Sequence, residues 1–167
     1  MTPIPHIHSI LPREMLPELS KSIHNKGKKL VFTNGCFDIL HIGHIKYLEE
    51  AKSLGDILIV GVNSDRSARI LKGPGRPIIT DHKRAKIISS IYCVDYVVIF
   101  DELTPIQLIS ELKPNIHVKG GNYKVKSLPE YETLTAYGGE VRTLCYMEGQ
   151  SSSNIIKQII KNYGSVS

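Results

Sequence analysis

Residues 30–44, LVFTNGCFDILHIGH, decide the fold that this 167-residue chain is predicted to adopt. The stretch begins as an apolar, β-branched run, turns at Asn34 and Gly35, and reaches two histidines, His41 and His44, where a helical pattern begins. The first backbone N–H groups of a helix lack partners and its dipole favours negative charge, so this arrangement predicts an anion site. Imidazoles can carry charge near neutral pH, which favours the phosphates of a nucleoside triphosphate as the ligand.

The composition is that of one ordinary globular domain, with 22% charged and 41% hydrophobic residues. No apolar run approaches the roughly 20 residues of a membrane span, and the N-terminus lacks the apolar core of a secretory signal. The three cysteines are odd in number and form no C-x-x-C pair, which indicates reduced thiols. We therefore expect a cytoplasmic protein without a membrane partner, with an N-terminal extension and helix at residues 1–27 and one domain at residues 28–163.

The net charge of +5 fits a protein that handles phosphorylated ligands. Nucleic acid is the other class of partner that a basic protein can bind. The lysines and arginines are scattered along the chain, however, and three Phe with no Trp offer few rings for base stacking. We therefore expect no nucleic-acid partner.

Strand and helix patterns alternate along the chain. Five apolar or β-branched runs predict strands, at residues 30–33, 56–63, 96–100, 116–119 and 140–144. The alternation predicts an α/β fold with a single-domain, open, mostly parallel five-stranded sheet flanked by helices. Residues 122–137 are the least readable segment and are predicted as a loop and a helix. The last helix is predicted to bury a stripe of four isoleucines, Ile155, Ile156, Ile159 and Ile160.

Polar and glycine residues cluster where the predicted strands end. The histidine pair follows the first strand, Asn63-Ser64-Asp65 the second, Lys119-Gly120-Gly121 the fourth, and three serines at 151–153 the fifth. The carboxyl ends of parallel strands meet at one edge of a sheet, which is where open α/β sheets bind ligands. The second cluster could instead only cap a helix, and the glycine pair could belong to a plain turn.

Four residues have simple alternatives to a functional role. His41 and His44 in isolation could be helix-cap residues, but their place after a strand and a glycine turn favours phosphate binding, with Gly43 allowing close approach to the backbone. Cys36 is interpreted as a small buried side chain, because the predicted chemistry needs no thiol. Asp95 could be a structural carboxylate at the start of a strand or a site residue.

An ordered set of motifs extends over most of the chain: TNGCFDILHIGH, GVNSD, LKGPGRPI, VKGGNY, GGEV and EGQSSSNII. Together they resemble the cytidylyltransferase-like nucleotidyltransferase superfamily and its Rossmann-like fold. More narrowly, they are similar to the D-glycero-β-D-manno-heptose 1-phosphate adenylyltransferases of bacterial ADP-heptose synthesis, which supplies lipopolysaccharide core precursors. In many bacteria that domain is fused to a sugar kinase, and this chain is too short to hold one, so it resembles the stand-alone form.

The resemblance implies transfer of AMP from ATP to the phosphate of a sugar 1-phosphate, with release of pyrophosphate and no covalent intermediate. The acceptor phosphate is already a nucleophile, so the protein would contribute alignment and charge neutralisation. Mg²⁺ would be carried largely by the triphosphate, because it usually keeps several waters. A homodimer is expected by the same resemblance.

The resemblance also assigns roles to residues of this chain. The catalytic group would be His41 and His44, which stabilise the α-phosphate in flight, and Lys72, which holds phosphates. The predicted nucleotide-binding residues, with those inferred above from the strand ends, are Thr33, Asn34, Gly35, Phe37, Gly43, Asn63, Asp65, Lys119, Gly120, Ser151, Ser152 and Ser153. The predicted substrate-binding residues are Asp38, Arg76, Gly121 and Asn122.

The chain departs from the heptose enzymes in carrying Gly-Gly-Asn122-Tyr123 for Gly-Gly-Asp-Tyr, three serines for a Ser-Thr-Thr type sequence, and a divergent segment at 126–133. A CTP-dependent enzyme acting on glycerol 3-phosphate or another polyol phosphate is therefore an alternative, as is a non-catalytic nucleotide sensor. The retained histidines, Lys72 and serines favour an enzyme. An aminoacyl-tRNA synthetase is excluded by length and by the lack of a KMSKS-like loop, and a P-loop enzyme by the lack of its motif.

Overall fold

The computed structural model describes residues 8–145, 149 and 151–164. Its strands are β1 (Ser9–Ile10), β2 (Leu30–Gly35), β3 (Ile57–Asn63), β4 (Tyr96–Phe100), β5 (Ile116–Gly120) and β6 (Glu140–Leu144). Its α-helices are α1 (Leu16–Asn25), α2 (Ile42–Ser53), α3 (Asp65–Lys72), α4 (Asp81–Ser89), α5 (Ile106–Leu112), α6 (Tyr131–Thr135) and α7 (Ser152–Tyr163). Short 3₁₀ turns lie at Arg13–Met15 and Val125–Ser127.

All six strands form one parallel sheet in the order β1-β4-β3-β2-β5-β6. After the edge strand β1, the chain enters the middle of the sheet at β2, runs outward through β3 and β4, and then crosses back to place β5 on the other side of β2. The strand order therefore reverses between β2 and β5. In open α/β sheets a crevice opens at the carboxyl ends of the two strands at such a reversal, and ligands bind there.

The predicted single-domain α/β sheet is confirmed, with six strands where the sequence predicted five. The additional strand, β1, pairs with Tyr96 and Val97 of β4, and the backbone N–H of Leu11 donates to the Val97 carbonyl at 2.7 Å. Part of the predicted N-terminal extension thus joins the sheet edge. A two-residue strand is too short to show a period in the sequence. Residues 1–7 lie outside the described part of the chain.

Helices cover both faces of the sheet, and side chains alternate along β2 between the two cores. Leu30 and Phe32 are fully buried on the face covered by α1, α5 and α6, where Leu16 and Ile109 also pack. Val31 is fully buried on the face covered by α2 and α4. This alternation explains why the central strands read as near-continuous apolar runs, as expected for a parallel sheet covered on both faces.

The predicted buried stripe of α7 is not observed. None of the described α7 residues is buried, and Ile159 and Ile160 are 51% and 62% exposed. The helix is tied to the domain at its first turn, where the Ser152 hydroxyl donates to the Ile39 carbonyl at 2.7 Å. A helical apolar pattern shows which face is apolar but not whether another element covers it. Among the described residues no helix has the length and apolar character needed to cross a bilayer.

Asp95 is a structural carboxylate at the start of β4, which settles the alternative left open by the sequence. It is buried, and its Oδ2 accepts hydrogen bonds from the Leu58 backbone N–H at 2.6 Å and from the Lys52 ammonium at 2.5 Å. It therefore joins α2, β3 and β4 at the amino ends of the strands, on the edge of the sheet opposite the reversal crevice.

Replacing Asp95 with Ala is expected to lower the free energy of unfolding by about 1–3 kcal/mol, because a buried N–H group then loses its acceptor. Denaturant unfolding followed by circular dichroism measures the change. Glu50→Ala, an exposed position on α2, serves as the control and should stay within about 0.5 kcal/mol of the wild type. Equal stabilities of Asp95→Ala and the control would contradict the assignment.

Candidate active site

A cavity of about 450 Å³ opens at the carboxyl ends of β2 and β5. It brings together all three residues predicted as catalytic, His41, His44 and Lys72. The other predicted site residues that line it are Asn34, Gly35, Phe37, Asp38, Arg76, Lys119, Gly120, Ser151, Ser152 and Ser153. Cys36, Tyr47 and Tyr123 complete the lining. Most of the predicted site therefore converges on the point where the strand order reverses.

The loop after β2 is shaped by Gly35 and Phe37. A Cβ atom at Gly35 would lie 3.1 Å from the Phe37 ring, so glycine allows the ring to pack against this turn. Phe37 itself has a φ of 48°, in the left-handed region that non-glycine residues rarely adopt. Its buried ring lies 5.5 Å from the His44 ring, centroid to centroid. This turn therefore places an aromatic wall beside the histidine pair.

The two imidazoles lie in contact at the start of α2, with their ring planes tilted by 32°. His41 is the extended residue before the helix, His44 lies in its first turn, and their ring centroids are 3.9 Å apart. The His41 backbone N–H donates to His44 Nδ1 at 3.4 Å, which places the proton of the neutral ring on Nε2. Nδ1 of His41 is buried and has no hydrogen-bond partner within the described residues. A buried nitrogen without a partner at a cavity wall is suited to a ligand.

Both histidines are held in the neutral form in the free protein. Burial lowers the pKa of His41, and burial together with the neighbouring His41 lowers the pKa of His44 to about 4. The fixed positive charge at the cavity therefore comes from Lys72, Arg76 and Lys119. A bound polyanion would favour protonation of the imidazoles, because an opposite charge nearby stabilises their charged form.

Asp38 anchors the loop between α3 and α4 and places Arg76 at the cavity. Its buried carboxylate accepts from Arg76 Nε at 2.6 Å and from the backbone N–H groups of Ile78 and Ile79, each at 2.9 Å. Burial acts to raise the pKa of Asp38, but the two N–H donors and the guanidinium outweigh it and lower that pKa. Both carboxylate oxygens already have partners, so Asp38 supports the cavity through Arg76.

Arg84 is the main site-forming residue that the sequence reading missed. The residue is 1% exposed. Its guanidinium donates to the backbone carbonyls of Cys36 at 2.5 Å, Asn63 at 2.8 Å and Ile79 at 2.7 Å. It also donates to the Asp65 carboxylate at 2.8 Å. These acceptors lie at the ends of β2 and β3 and in the loop that carries Arg76. The available signal was an arginine at helical spacing within the apolar stripe of α4.

Asn63 and Asp65, predicted to bind nucleotide, lie outside the cavity lining. The Asn63 amide donates to the Ser67 hydroxyl at 3.1 Å, and Asp65 pairs with Arg84. Asn63 ends β3 and Asp65 follows it, and β3 lies on the side of β2 away from β5. Their cluster acts as a helix cap, since the Ser64 hydroxyl accepts from the Ser67 N–H.

Four other predicted residues also lie beside the cavity rather than in its lining. Thr33 is fully buried, and its hydroxyl is bonded to the Tyr47 hydroxyl at 2.6 Å and to the Val118 carbonyl at 2.9 Å, which joins β2 to β5. Gly43 is buried in the first turn of α2, and Gly121 and Asn122 follow the cavity-lining Gly120. Asn122 is exposed. These positions support the wall, and a direct role for any of them stays a prediction.

The described residues contain no group of three or more His, Cys, Asp or Glu side chains arranged to hold a metal ion. The carboxylate in the cavity lining, that of Asp38, is already bonded to Arg76 and two backbone N–H groups. Mg²⁺ prefers oxygen ligands in octahedral geometry. The described part of the cavity therefore does not supply a protein ligand set for Mg²⁺.

Comparison with known proteins gives a consistent set of matches. The cytidylyltransferase-like family model matches residues 32–158. The bifunctional protein HldE of Syntrophotalea carbinolica is 48% identical over 151 residues, which are 90% of this chain and 31% of that protein. The bifunctional protein HldE of Geobacter metallireducens is 52% identical over 139 residues, which are 83% of this chain and 28% of that protein. The chain thus spans about a third of the length of the curated relatives it matches.

A solved structure is also similar, that of the lipopolysaccharide core biosynthesis protein from Thermoplasma volcanium. It is 33% identical in sequence, aligns with a TM-score of 0.60, and covers 74% of this chain and 100% of its own. The overall fold described above is thus similar to that of a protein of known structure.

The depressed pKa of His44 predicts a pH dependence of stability. The unfolded chain protonates this histidine near its ordinary pKa of 6.5 and the folded protein only near 4, so falling pH favours unfolding across that window. The drop in Tm between about pH 7 and about pH 5 should be smaller in His44→Gln than in the wild type. His82→Gln, at an exposed position on α4, should keep the wild-type drop. An equal drop in all three proteins would contradict the buried, neutral state of His44.

Proposed function

The chain belongs to the cytidylyltransferase-like family and is a nucleotidyltransferase, and from this premise we propose that it transfers AMP from ATP to a sugar 1-phosphate. The proposed acceptor is D-glycero-β-D-manno-heptose 1-phosphate, and the proposed products are ADP-heptose and pyrophosphate. The single observation that carries the proposal is the convergence of two adjacent imidazoles, three cationic side chains and the first turn of α7 on one cavity.

The chemistry needs no covalent attachment to the protein. An oxygen of the acceptor phosphate forms a bond to the α-phosphorus of ATP, the bond from that phosphorus to the bridging oxygen breaks, and pyrophosphate leaves with the electron pair. The side chains align the two phosphates and neutralise the charge that builds between them. His44 presents its Nε2–H donor and His41 its half-buried ring, and both gain strength as donors when they become protonated.

The cations and α7 have separate parts in this arrangement. Lys72 and Arg76 would hold phosphate groups, and Asp38 keeps Arg76 in place through the 2.6 Å contact. The first turn of α7 would offer its hydroxyl and N–H groups to the β- and γ-phosphates, since the N-terminus of a helix attracts anions. Mg²⁺ is proposed to arrive with ATP, bound to phosphate oxygens and water, where it would offset triphosphate charge. No step depends on a protein ligand to the metal.

Several observations support the heptose acceptor over the polyol alternative. The chain matches proteins named HldE at about half identity, and its structural relative is named for lipopolysaccharide core biosynthesis. The Asp-to-Asn difference at Asn122 falls outside the cavity lining, so it removes no charge from the cavity wall. We propose a cytoplasmic location, because ATP is the donor. A homodimer is also proposed, and its mass in solution by light scattering tests it.

Pyrophosphate release tests the proposed function directly. The purified chain is supplied with Mg²⁺ and with either ATP or CTP, each against heptose 1-phosphate, glycerol 3-phosphate and a hexose 1-phosphate. We expect release with ATP and heptose 1-phosphate and much slower release with the other pairs. Faster release with CTP and glycerol 3-phosphate would support the polyol enzyme instead. A sensor would bind ATP and release nothing with any acceptor.

His41→Ala and His44→Ala are each expected to lower kcat by about 10²–10³, because each removes a donor used mainly in the transition state. The Kd for ATP, measured by calorimetry, should change much less. His82→Ala is the matched control, since this histidine lies exposed on α4. Wild-type kcat in either of the first two variants would refute the role given to the pair.

A further inference from the structure

Lys119 at the cavity wall is held from behind by a buried carboxylate. The side chain comes from β5, and its ammonium lies 2.7 Å from Oε1 of Glu130. Glu130 is 1% exposed and directly precedes α6. It lies in residues 122–137, the segment that was hardest to interpret from the sequence. The cavity lining includes Lys119, while Glu130 is not part of it. The carboxylate therefore reaches the cavity through Lys119.

A third residue, His117, lies beside the same carboxylate but does not carry a positive charge that would compete with Lys119. It lies two residues before Lys119 on β5, is fully buried, and its ring stacks on Phe32 with centroids 5.4 Å apart. Its Nε2 lies 3.3 Å from Oε1 of Glu130. Burial lowers the pKa of His117 and keeps the ring neutral. Lys119 is therefore the charged partner of this carboxylate among the described residues.

The carboxylate of Glu130 is ionised despite its burial. Burial acts to raise its pKa, but the adjacent His117 ring, the hydrogen bond from Lys119 and the backbone N–H of Glu130 outweigh burial and lower the pKa to about 2. An ionised carboxylate without a charged partner in the protein interior is strongly destabilising. That destabilisation opposes any movement of the Lys119 ammonium away from Glu130.

We propose that Glu130 is a positioning residue, which holds the ammonium of Lys119 at the β5 wall of the cavity in the place where it meets a substrate phosphate. A free lysine side chain loses rotamer entropy when it is ordered. Here folding has already ordered it, so the bound substrate meets a donor that is in place. The identity of that substrate rests on the proposed function, whereas the positioning of Lys119 does not.

The arrangement predicts a separation between kcat and KM. Replacing the Glu130 carboxylate by an amide removes one negative charge near the cavity, so the attraction for ATP in the ground state is kept. The ammonium is no longer held in one place, so alignment in the transition state is lost. Glu130→Gln should therefore lower kcat about 10-fold without raising the KM for ATP.

A double-mutant cycle separates positioning from a merely structural role. Glu130→Gln, Lys119→Ala and the double variant are compared with the wild type in the pyrophosphate assay. If Glu130 acts through Lys119, Glu130→Gln causes no further fall in kcat once Lys119 is Ala. Glu132→Gln, an exposed position on α6, should keep the wild-type kcat. A wild-type kcat in Glu130→Gln, or the same fall in both backgrounds, overturns the proposal.

Circular dichroism establishes that each variant is folded. If Glu130→Gln does not fold, Glu130→Asp replaces it, since it keeps the charge and withdraws it by one methylene group. This variant should also lower kcat without raising the KM for ATP, and wild-type kinetics would overturn the proposal.

A readout without turnover separates this proposal from the proposed function. In protein labelled with ¹⁵N-lysine, an ammonium held in a buried ion pair exchanges its protons slowly and gives a visible side-chain signal. The Lys119 signal is assigned by its absence from Lys119→Ala. It should be present in the wild type and lost in folded Glu130→Gln, and its persistence there overturns the proposal. If the wild type releases no pyrophosphate, the proposed function fails, and this measurement still decides the positioning of Lys119.

Discussion

The cavity depends on one buried cation, the guanidinium of Arg84. It donates hydrogen bonds to backbone carbonyls at the ends of two neighbouring strands and to a third carbonyl in the loop that carries Arg76. Asp38 fastens the same loop from the other side, through the N–H groups of Ile78 and Ile79. A buried guanidinium is tolerated when its donors find acceptors in fixed geometry. Here one acceptor, the Cys36 carbonyl, belongs to a residue of the cavity lining, and the other two carbonyls lie behind it. Loss of Arg84 or Asp38 is expected to disorder the cavity even if neither side chain contacts a substrate.

The reversal of strand order determines which residues can meet. β2 and β5 are neighbours in the sheet but distant in the chain, and the Thr33 hydroxyl joins them by its bond to the Val118 carbonyl. Residues at the ends of these two strands line the cavity, whereas the end of β3 lies on the side of β2 away from β5. Of the chain that follows β3, Lys72 and Arg76 return to the cavity. Asn63 and Asp65 lie outside its lining, and their role in nucleotide binding stays a prediction.

The sequence predicted the strands and helices whose apolar pattern repeats over several residues. It missed the two-residue strand β1 and the buried charged side chains. Five strands and the histidine-bearing helix could be located because β-branched runs and helical spacing repeat over several residues. β1 has two residues and no period. Arg84 and Glu130 are charged side chains in the interior, and a charge in a sequence is ordinarily interpreted as a solvated surface. Most of their partners lie 11 to 48 positions away in the chain, so only the fold shows the pairing.

The two adjacent imidazoles give the cavity two groups that can each take up a proton. Two rings 3.9 Å apart cannot both be charged cheaply, and burial keeps them neutral until a polyanion arrives. Occupation by a triphosphate would then draw protons from the solvent as the ligand enters. The heat of binding would differ between buffers according to their own ionisation enthalpies, and the departure of pyrophosphate would return those protons.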